Sequence, residues 1–314
     1  MDNLIFSLNS TLPIFLLMVV GWGLGQIGFL PRSFCDTADK LVFRVTLPVM
    51  LFCDMGSVDL THDFDWRFVL YCAAATAVAI LVIWALARRF LPDRSLTGEF
   101  VQASYRSSAA ILGVAFIQNM YGTSGMAPLM ILGSVPLFNI FAVVILTLES
   151  PAQQGKIRLG DLLRRVLSNP ILLGIVFGTL YSLLPFRLPT LVQKTLTSLS
   201  GLTTPLALLS IGAAFEGTRA IQKLAPTLAA SACKLVILTG IFLPLAIRIG
   251  FRDQQLVALL IMLGSPTTPS AYVMARNMGH EGVLTASTVA ATTLLSALTV
   301  TGWIFLLRSG GYIV

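Results

Sequence analysis

Ten stretches of about 20 apolar residues, almost free of charge inside, follow one another along this chain. They fall at roughly 9–29, 34–53, 66–87, 97–121, 124–148, 169–184, 190–214, 225–247, 255–278 and 283–307, here numbered helices 1 to 10. At about 1.5 Å per residue, 20 helical residues match the ~30 Å hydrocarbon core of a bilayer. Composition agrees: 56% of the 314 residues are hydrophobic and 11% charged, against ~25% charged in a soluble domain. A soluble fold of this length would lack the polar surface to cover itself. The expected fold is an all-α integral membrane protein of ten transmembrane helices.

The net charge of +7 could suit nucleic acid, but the basic residues sit singly between apolar stretches, as a topology signal does. With the N-terminus outside, the inner connections hold eleven cations: Arg32, Arg88, Arg89, Arg94, Lys156, Arg158, Arg164, Arg165, Arg219, Lys223 and Arg276. The outer side holds six: Arg67, Arg187, Lys194, Arg248, Arg252 and Arg308. The positive-inside rule therefore predicts that both termini are extracytoplasmic. The acidic connection with Asp54, Asp59, Asp63 and Asp65 falls on the outer side. The opening MDNLIFSLNSTLP has no basic cluster, so helix 1 is expected to stay in the chain.

Little here points to catalysis. Cys35, Cys53, Cys72 and Cys233 have no C-x-x-C spacing and are expected to be buried thiols. His62 and His280 fall in connections on opposite sides, so no metal pair is expected, and no cofactor is implied. The run TTPSAY lacks the G-x-S-x-G elbow, and no His or Asp is placed to activate a serine.

An internal repeat organises the chain. An offset of 157 residues puts Leu12-Pro13-Ile14 on Asn169-Pro170-Ile171, Gly21 on Gly178 and Thr46-Leu47-Pro48 on Thr203-Thr204-Pro205. An offset of 158 puts Gln118-Asn119-Met120 on Arg276-Asn277-Met278. Matches at one register indicate two five-helix halves, 1–150 and 168–314, joined by a cytoplasmic connection at 151–167. Five is odd, so the second half must be inverted across the membrane, as in repeat-built transporters with alternating access.

Two places are expected to break. In helix 9, Gly264-Ser265-Pro266-Thr267-Thr268-Pro269 cannot continue as helix, because two prolines remove donors and clash with preceding carbonyls. Thr268 and Pro269 read as an N-cap and first helical residue, leaving N–H groups near 269–272 to face the interior and favour an anion. A plain proline kink satisfied by Ser and Thr is the competing reading. The matching place in helix 4 is SYRSSAAILG (104–113), where Ser107 and Ser108 align with Ser265 and Pro266. No proline is present there, so that break is inferred from the repeat.

Deep charges are few. Arg106 lies about nine residues, roughly 13 Å, from the inner end of helix 4, near the bilayer midplane. It is expected to face protein or a water-filled cavity. It either grips a substrate carboxylate with its planar fork or pairs structurally with Glu99 or backbone carbonyls. Lys234 in helix 8 is the other deep cation, with a coupling or a structural role, while Lys40 and Arg44 are expected to snorkel. Among acids, Asp39 and Glu99 approach the interior from the inner side, a poor supply for tight sodium coordination.

TTPLALLSIGAAFEG (203–217) in helix 7 and KLVFRVTLPVMLF (40–52) in helix 2 resemble the auxin efflux carrier family of ten-helix transporters. SNPILLGIVFG (168–178), CKLVIL (233–238) and GSPTTPSAYVMARNMG (264–279) extend the resemblance along nearly the whole chain. It implies a homodimer-forming scaffold of helices 1, 2, 6 and 7, and a moving transport unit of helices 3–5 and 8–10. It also implies a substrate site where broken helices 4 and 9 cross near the midplane. That crossover falls here on Arg106, Ser107 and Ser108, and on Ser265, Pro266, Thr267 and Thr268. The family usually has a proline in the helix 4 crossover, whereas here Gly113 is followed by Val114. The short connection between helices 5 and 6 leans towards a compact bacterial member, in the cell (inner) membrane.

The leading expectation is a secondary transporter for small organic anions such as malate or malonate, working by an elevator-like alternating access. The alternatives are a sodium-coupled bile-acid-type symporter and an auxin-like indole-acid exporter. Outside transport, a membrane-embedded enzyme lacks a clustered nucleophile and base. A sensor lacks an appended soluble domain.

Overall fold

The computed structural model describes residues 2–57, 64–123, 125–151, 159–184 and 188–313. Among them the chain is helical, with no strand. The first half comprises α1 (Asp2–Gln26), α2 (Arg32–Leu41), α3 (Leu47–Gly56), α4 (Trp66–Phe90), α5 (Thr97–Tyr105), α6 (Ala109–Tyr121) and α7 (Ala127–Leu148). Then come α8 (Leu159–Leu167), α9 (Pro170–Ser182), α10 (Thr190–Gly201), α11 (Thr203–Ala213) and α12 (Gly217–Gln222). The chain closes with α13 (Leu224–Ala232), α14 (Leu238–Ile249), α15 (Asp253–Gly264), α16 (Ser270–Asn277) and α17 (Val283–Ser309).

Among the described residues, five helical runs are long and apolar enough to cross a membrane: Trp66–Phe90, Ala127–Leu148, Thr190–Ala213, Leu224–Ile249 and Val283–Ser309. The stretches read as helices 4 and 9 are each cut in two, into α5 and α6 and into α15 and α16. At 9, 13, 12 and 8 residues, none of these four pieces covers ~30 Å at 1.5 Å per residue.

The outer surface is apolar, unlike that of a soluble protein, and several charged groups are buried. Leu70, Val78, Leu81, Val82 and Leu86 of α4, and Leu294, Leu298, Phe305 and Leu306 of α17, face outward. Glu99, Gln102, Arg106, Asn139, Lys234 and a run of Thr and Ser on α17 are buried. An apolar exterior, with polar and charged groups buried among an otherwise apolar core, suits a lipid solvent and a ligand-binding centre.

The closest helix crossings are made by glycine. α1 packs on α11 and α3 on α9; a Cβ on Gly21 would overlap the Leu209 backbone, and one on Gly178 the Phe52 backbone. Small residues let helix backbones approach this way in membranes. The two contacts are related by the 157-residue offset seen in the sequence.

Two features have no counterpart in the division into apolar stretches. The short helices α8 and α12 form within connections. π-helical turns at Val42–Thr46 and Cys233–Ile237 join α2 to α3 and α13 to α14. Pro48, with no N–H to return to the carbonyl four residues back, follows the first of them. His62, Asp59, Asp63, Lys156, Arg158 and Arg187 lie outside the described residues.

Candidate functional site

The two breaks meet. α5 ends at Tyr105, and Arg106 turns extended (φ −71°, ψ 126°) while its N–H still reaches the Gln102 carbonyl at 3.1 Å. The helix resumes at Ala109. In the second break α15 ends at Gly264, and Ser265 is extended (φ −73°, ψ 162°), the conformation that a following proline demands. α16 begins at Ser270, with Pro269 as its cap residue. The helix start is thus one residue later than the Thr268-Pro269 pair suggested.

Four contacts lock the breaks to each other and to α17. The Ser108 N–H donates to the Pro266 carbonyl at 3.1 Å. The Ser107 hydroxyl donates to the Met262 carbonyl. The Thr267 hydroxyl donates to the Ala103 carbonyl at 2.8 Å, and its N–H donates to the Thr292 hydroxyl at 3.0 Å.

Arg106 is 3% exposed. Its guanidinium donates to Asn139 Oδ1 at 2.7 Å and lies 2.9 Å from the Met274 sulfur. Asn139 is held in turn by its own amide, which donates to the Val135 carbonyl at 2.9 Å. Glu99 is not its partner. That carboxylate accepts from the N–H groups of Gly282 (2.8 Å) and Thr285 (3.1 Å) and from the Thr285 hydroxyl (2.9 Å), capping the start of α17. Arg106 has no carboxylate within ion-pair distance among the described residues.

A narrow cavity of about 40 Å³ opens beside Arg106, lined by Ser107, Ser108, Asp54, Asn139, Thr268 and Ser270 among others. It has room for a few waters. α6 points its first, unpaired N–H groups at the same break, adding partial positive charge. α16 contributes less than its sequence suggested, because the N–H groups of Ala271 and Tyr272 are taken by the Thr268 and Pro269 carbonyls.

The residues singled out in sequence therefore divide. Arg106, Ser107, Ser108 and Thr268 face the cavity, while Ser265 and Thr267, at 0% and 1% exposure, are sealed in the joint with Pro266. Lys234 reaches the end of α15, donating to the Leu263 carbonyl and, at 3.4 Å, to Met262. Asp39 is apart, buried where its backbone carbonyl accepts from the Asn277 amide at 3.1 Å. Asn139, Met274 and Asp54 escaped sequence reasoning. Asn139 and Asp54 come from helices other than those that carry the breaks, Met274 lies just past the second break where a methionine gives no signal, and only the polar Asn139 inside an apolar stretch gave any.

Among the described residues no cluster of His, Cys, Asp or Glu could hold a metal ion. An apolar helical shell around a buried guanidinium and broken helices fits a membrane transport protein. A family model described as "Membrane transport protein" matches residues 6–304. The chain belongs to that family, the auxin efflux carrier family that its motifs resemble. It is 24% identical over 320 residues to a "Putative malonate transporter" of Rhizobium meliloti, covering 95% of each chain. It is 20% identical over 299 residues to an "Uncharacterized transporter" of Methanothermobacter thermautotrophicus, covering 95% of this chain and 97% of the relative. An uncharacterized transporter of Methanocaldococcus jannaschii is 21% identical over 310 residues, with 95% and 99% covered. Family and relatives are transporters, not enzymes.

Proposed function

We propose that this protein is a secondary carrier of small carboxylates, malonate and malate among them, in which Arg106 anchors the substrate carboxylate. The observation that carries this reading is a buried guanidinium, free of any ion pair, beside a small, mostly apolar cavity with a few convergent polar groups at the crossing of two broken helices. A carboxylate arriving there meets the planar donor fork of Arg106, the hydroxyls of Ser108 and Thr268, and the N-terminus of α6. The similarity to a relative named for malonate points the same way.

The architecture that goes with this function is ten transmembrane helices in two inverted repeats, 1–150 and 168–314. The offset-related crossings Gly21 on Leu209 and Gly178 on Phe52 support it. Helices 1, 2, 6 and 7 form the scaffold and the homodimer contact, and helices 3–5 and 8–10 carry the substrate past it. Both termini are extracytoplasmic in a bacterial cell membrane. The ion pairs Arg276–Asp36 and Arg88–Glu149, at 2.9 and 2.6 Å, join residues of the basic inner connections, in keeping with that orientation.

The test is uptake of labelled malate into proteoliposomes, with malonate, lactate, succinate and an indole acid as competitors, under imposed proton and sodium gradients in turn. One acid class competes, and Arg106→Ala weakens its apparent affinity by roughly tenfold or more, the worth of a charge-assisted hydrogen bond. Absence of flux from folded protein, or unchanged affinity in Arg106→Ala, overturns the reading.

A further inference from the structure

Lys234 is fully buried, and no carboxylate lies within ion-pair distance of it among the described residues. A cation in such a place needs a compensating negative field. Its partners are backbone: Nζ donates to the carbonyl of Leu263 and, at 3.4 Å, to that of Met262.

Those two carbonyls have lost their helical donors because of the break. In an unbroken helix the Met262 carbonyl would accept from residue 266, but Pro266 has no N–H. The Leu263 carbonyl would accept from residue 267, but the Thr267 N–H is turned to the Thr292 hydroxyl at 3.0 Å. The end of α15 therefore presents carbonyls without helical partners, that of Met262 shared with the Ser107 hydroxyl, and the negative end of a helix dipole inside the protein. The buried hydroxyls of Ser265 and Thr239 stand at the same end, and neither has a hydrogen-bond partner. Gly264 packs so closely on Thr239 that a Cβ there would come within 2.7 Å of its hydroxyl. Carbonyl and hydroxyl oxygens gathered at one helix end are the ligand types that a hard metal cation takes.

At this point the chain itself supplies the cation. The π-helical turn Cys233–Ile237 carries Lys234, and extra-residue turns of this kind are frequent at functional positions. The first half of the chain has no equivalent. At the 157- and 158-residue offsets, Ala77 and Thr76 stand where the second half has Lys234.

We propose that the Lys234 ammonium is a tethered cation that fills, at the carbonyl end of α15, the position a cotransported metal cation would otherwise hold, so that flux needs no sodium. This deepens the carrier reading and rests on it for the word flux. The cation site itself is tested without any substrate.

The experiment is thermal unfolding of the purified protein in detergent. Chloride salts of choline, sodium, potassium and methylammonium are exchanged at constant ionic strength. Wild-type Tm is the same in all four. Lys234→Ala melts roughly 5 °C lower in choline, and ~100 mM sodium or methylammonium returns at least half of that loss. Lys234→Met, which fills the space with an apolar chain, shows the loss without the recovery. Three results overturn the proposal: sodium stabilising the wild type, no loss in Lys234→Ala, or a loss that no small cation recovers. If Lys234→Ala does not fold in choline, purification in sodium or methylammonium throughout yields folded protein, and failure in all of these salts also overturns it. Because malate is absent from this readout, a failed carboxylate assignment leaves its outcome intact.

Discussion

The two helix breaks reach similar shapes by different means. The second is written in its own residues: Pro266 and Pro269 remove two donors, and Ser265 is driven extended by the proline after it. The first has no proline. Arg106, Ser107 and Ser108 leave the helix because partners outside it take their polar groups: Asn139, the Met262 carbonyl and the Pro266 carbonyl. One break is intrinsic, and the other is held in place by the first. The cations follow the same division. Arg106 sits inside the break that lacks proline, while the proline break draws its cation from Lys234 on another helix.

This comparison can be broken experimentally. The largest effect is expected from replacing both prolines, Pro266→Ala with Pro269→Ala. Restoring two donors lets α15 and α16 join, and the Pro266 carbonyl then leaves Ser108. Both breaks are lost, and uptake of the competing acid falls by about tenfold or more, since substrate-binding groups tolerate little displacement. Normal uptake by this variant would show that the first break stands on its own.

How much could be read beforehand follows from the same asymmetry. The second break was legible because proline acts on its own backbone wherever it is placed. The first was legible only through the repeat, by aligning Ser107 and Ser108 with Ser265 and Pro266. The partners of Arg106 were not legible, because Asn139 and Met274 are 33 and 168 residues away. The role of Glu99 was hidden for a similar reason. Its carboxylate caps a helix whose cap residue, Gly282, lies 183 residues later, so its nearness to Arg106 in sequence was misleading. The π-helical turns carry no local signature, and the second forms without any proline inside it.

A smaller effect sharpens the comparison. The Ser107 hydroxyl bonds across the joint, whereas the Ser265 hydroxyl, equally deep, has no partner. Ser107→Ala should therefore cost about 1 kcal/mol, a fall of roughly 2–4 °C in Tm. Ser265→Ala should stay within about 0.5 kcal/mol of the wild type, because it removes an unsatisfied group. The reverse order would contradict the account of which break holds the other.

The central claim is that the crossing of the two breaks is where substrate sits, open to one side of the membrane and then to the other. Cysteine accessibility tests it most directly. Ser107→Cys and Ser265→Cys are introduced separately into protein whose Cys35, Cys53, Cys72 and Cys233 are replaced by Ala. A small impermeant thiol reagent is then applied from each side of sealed vesicles, with and without the competing acid. The account predicts that labelling at position 107 switches sides or is blocked when the acid is present, and that position 265 reacts more slowly. Permanent inaccessibility of both positions from both sides, in protein that still takes up the acid, would contradict it.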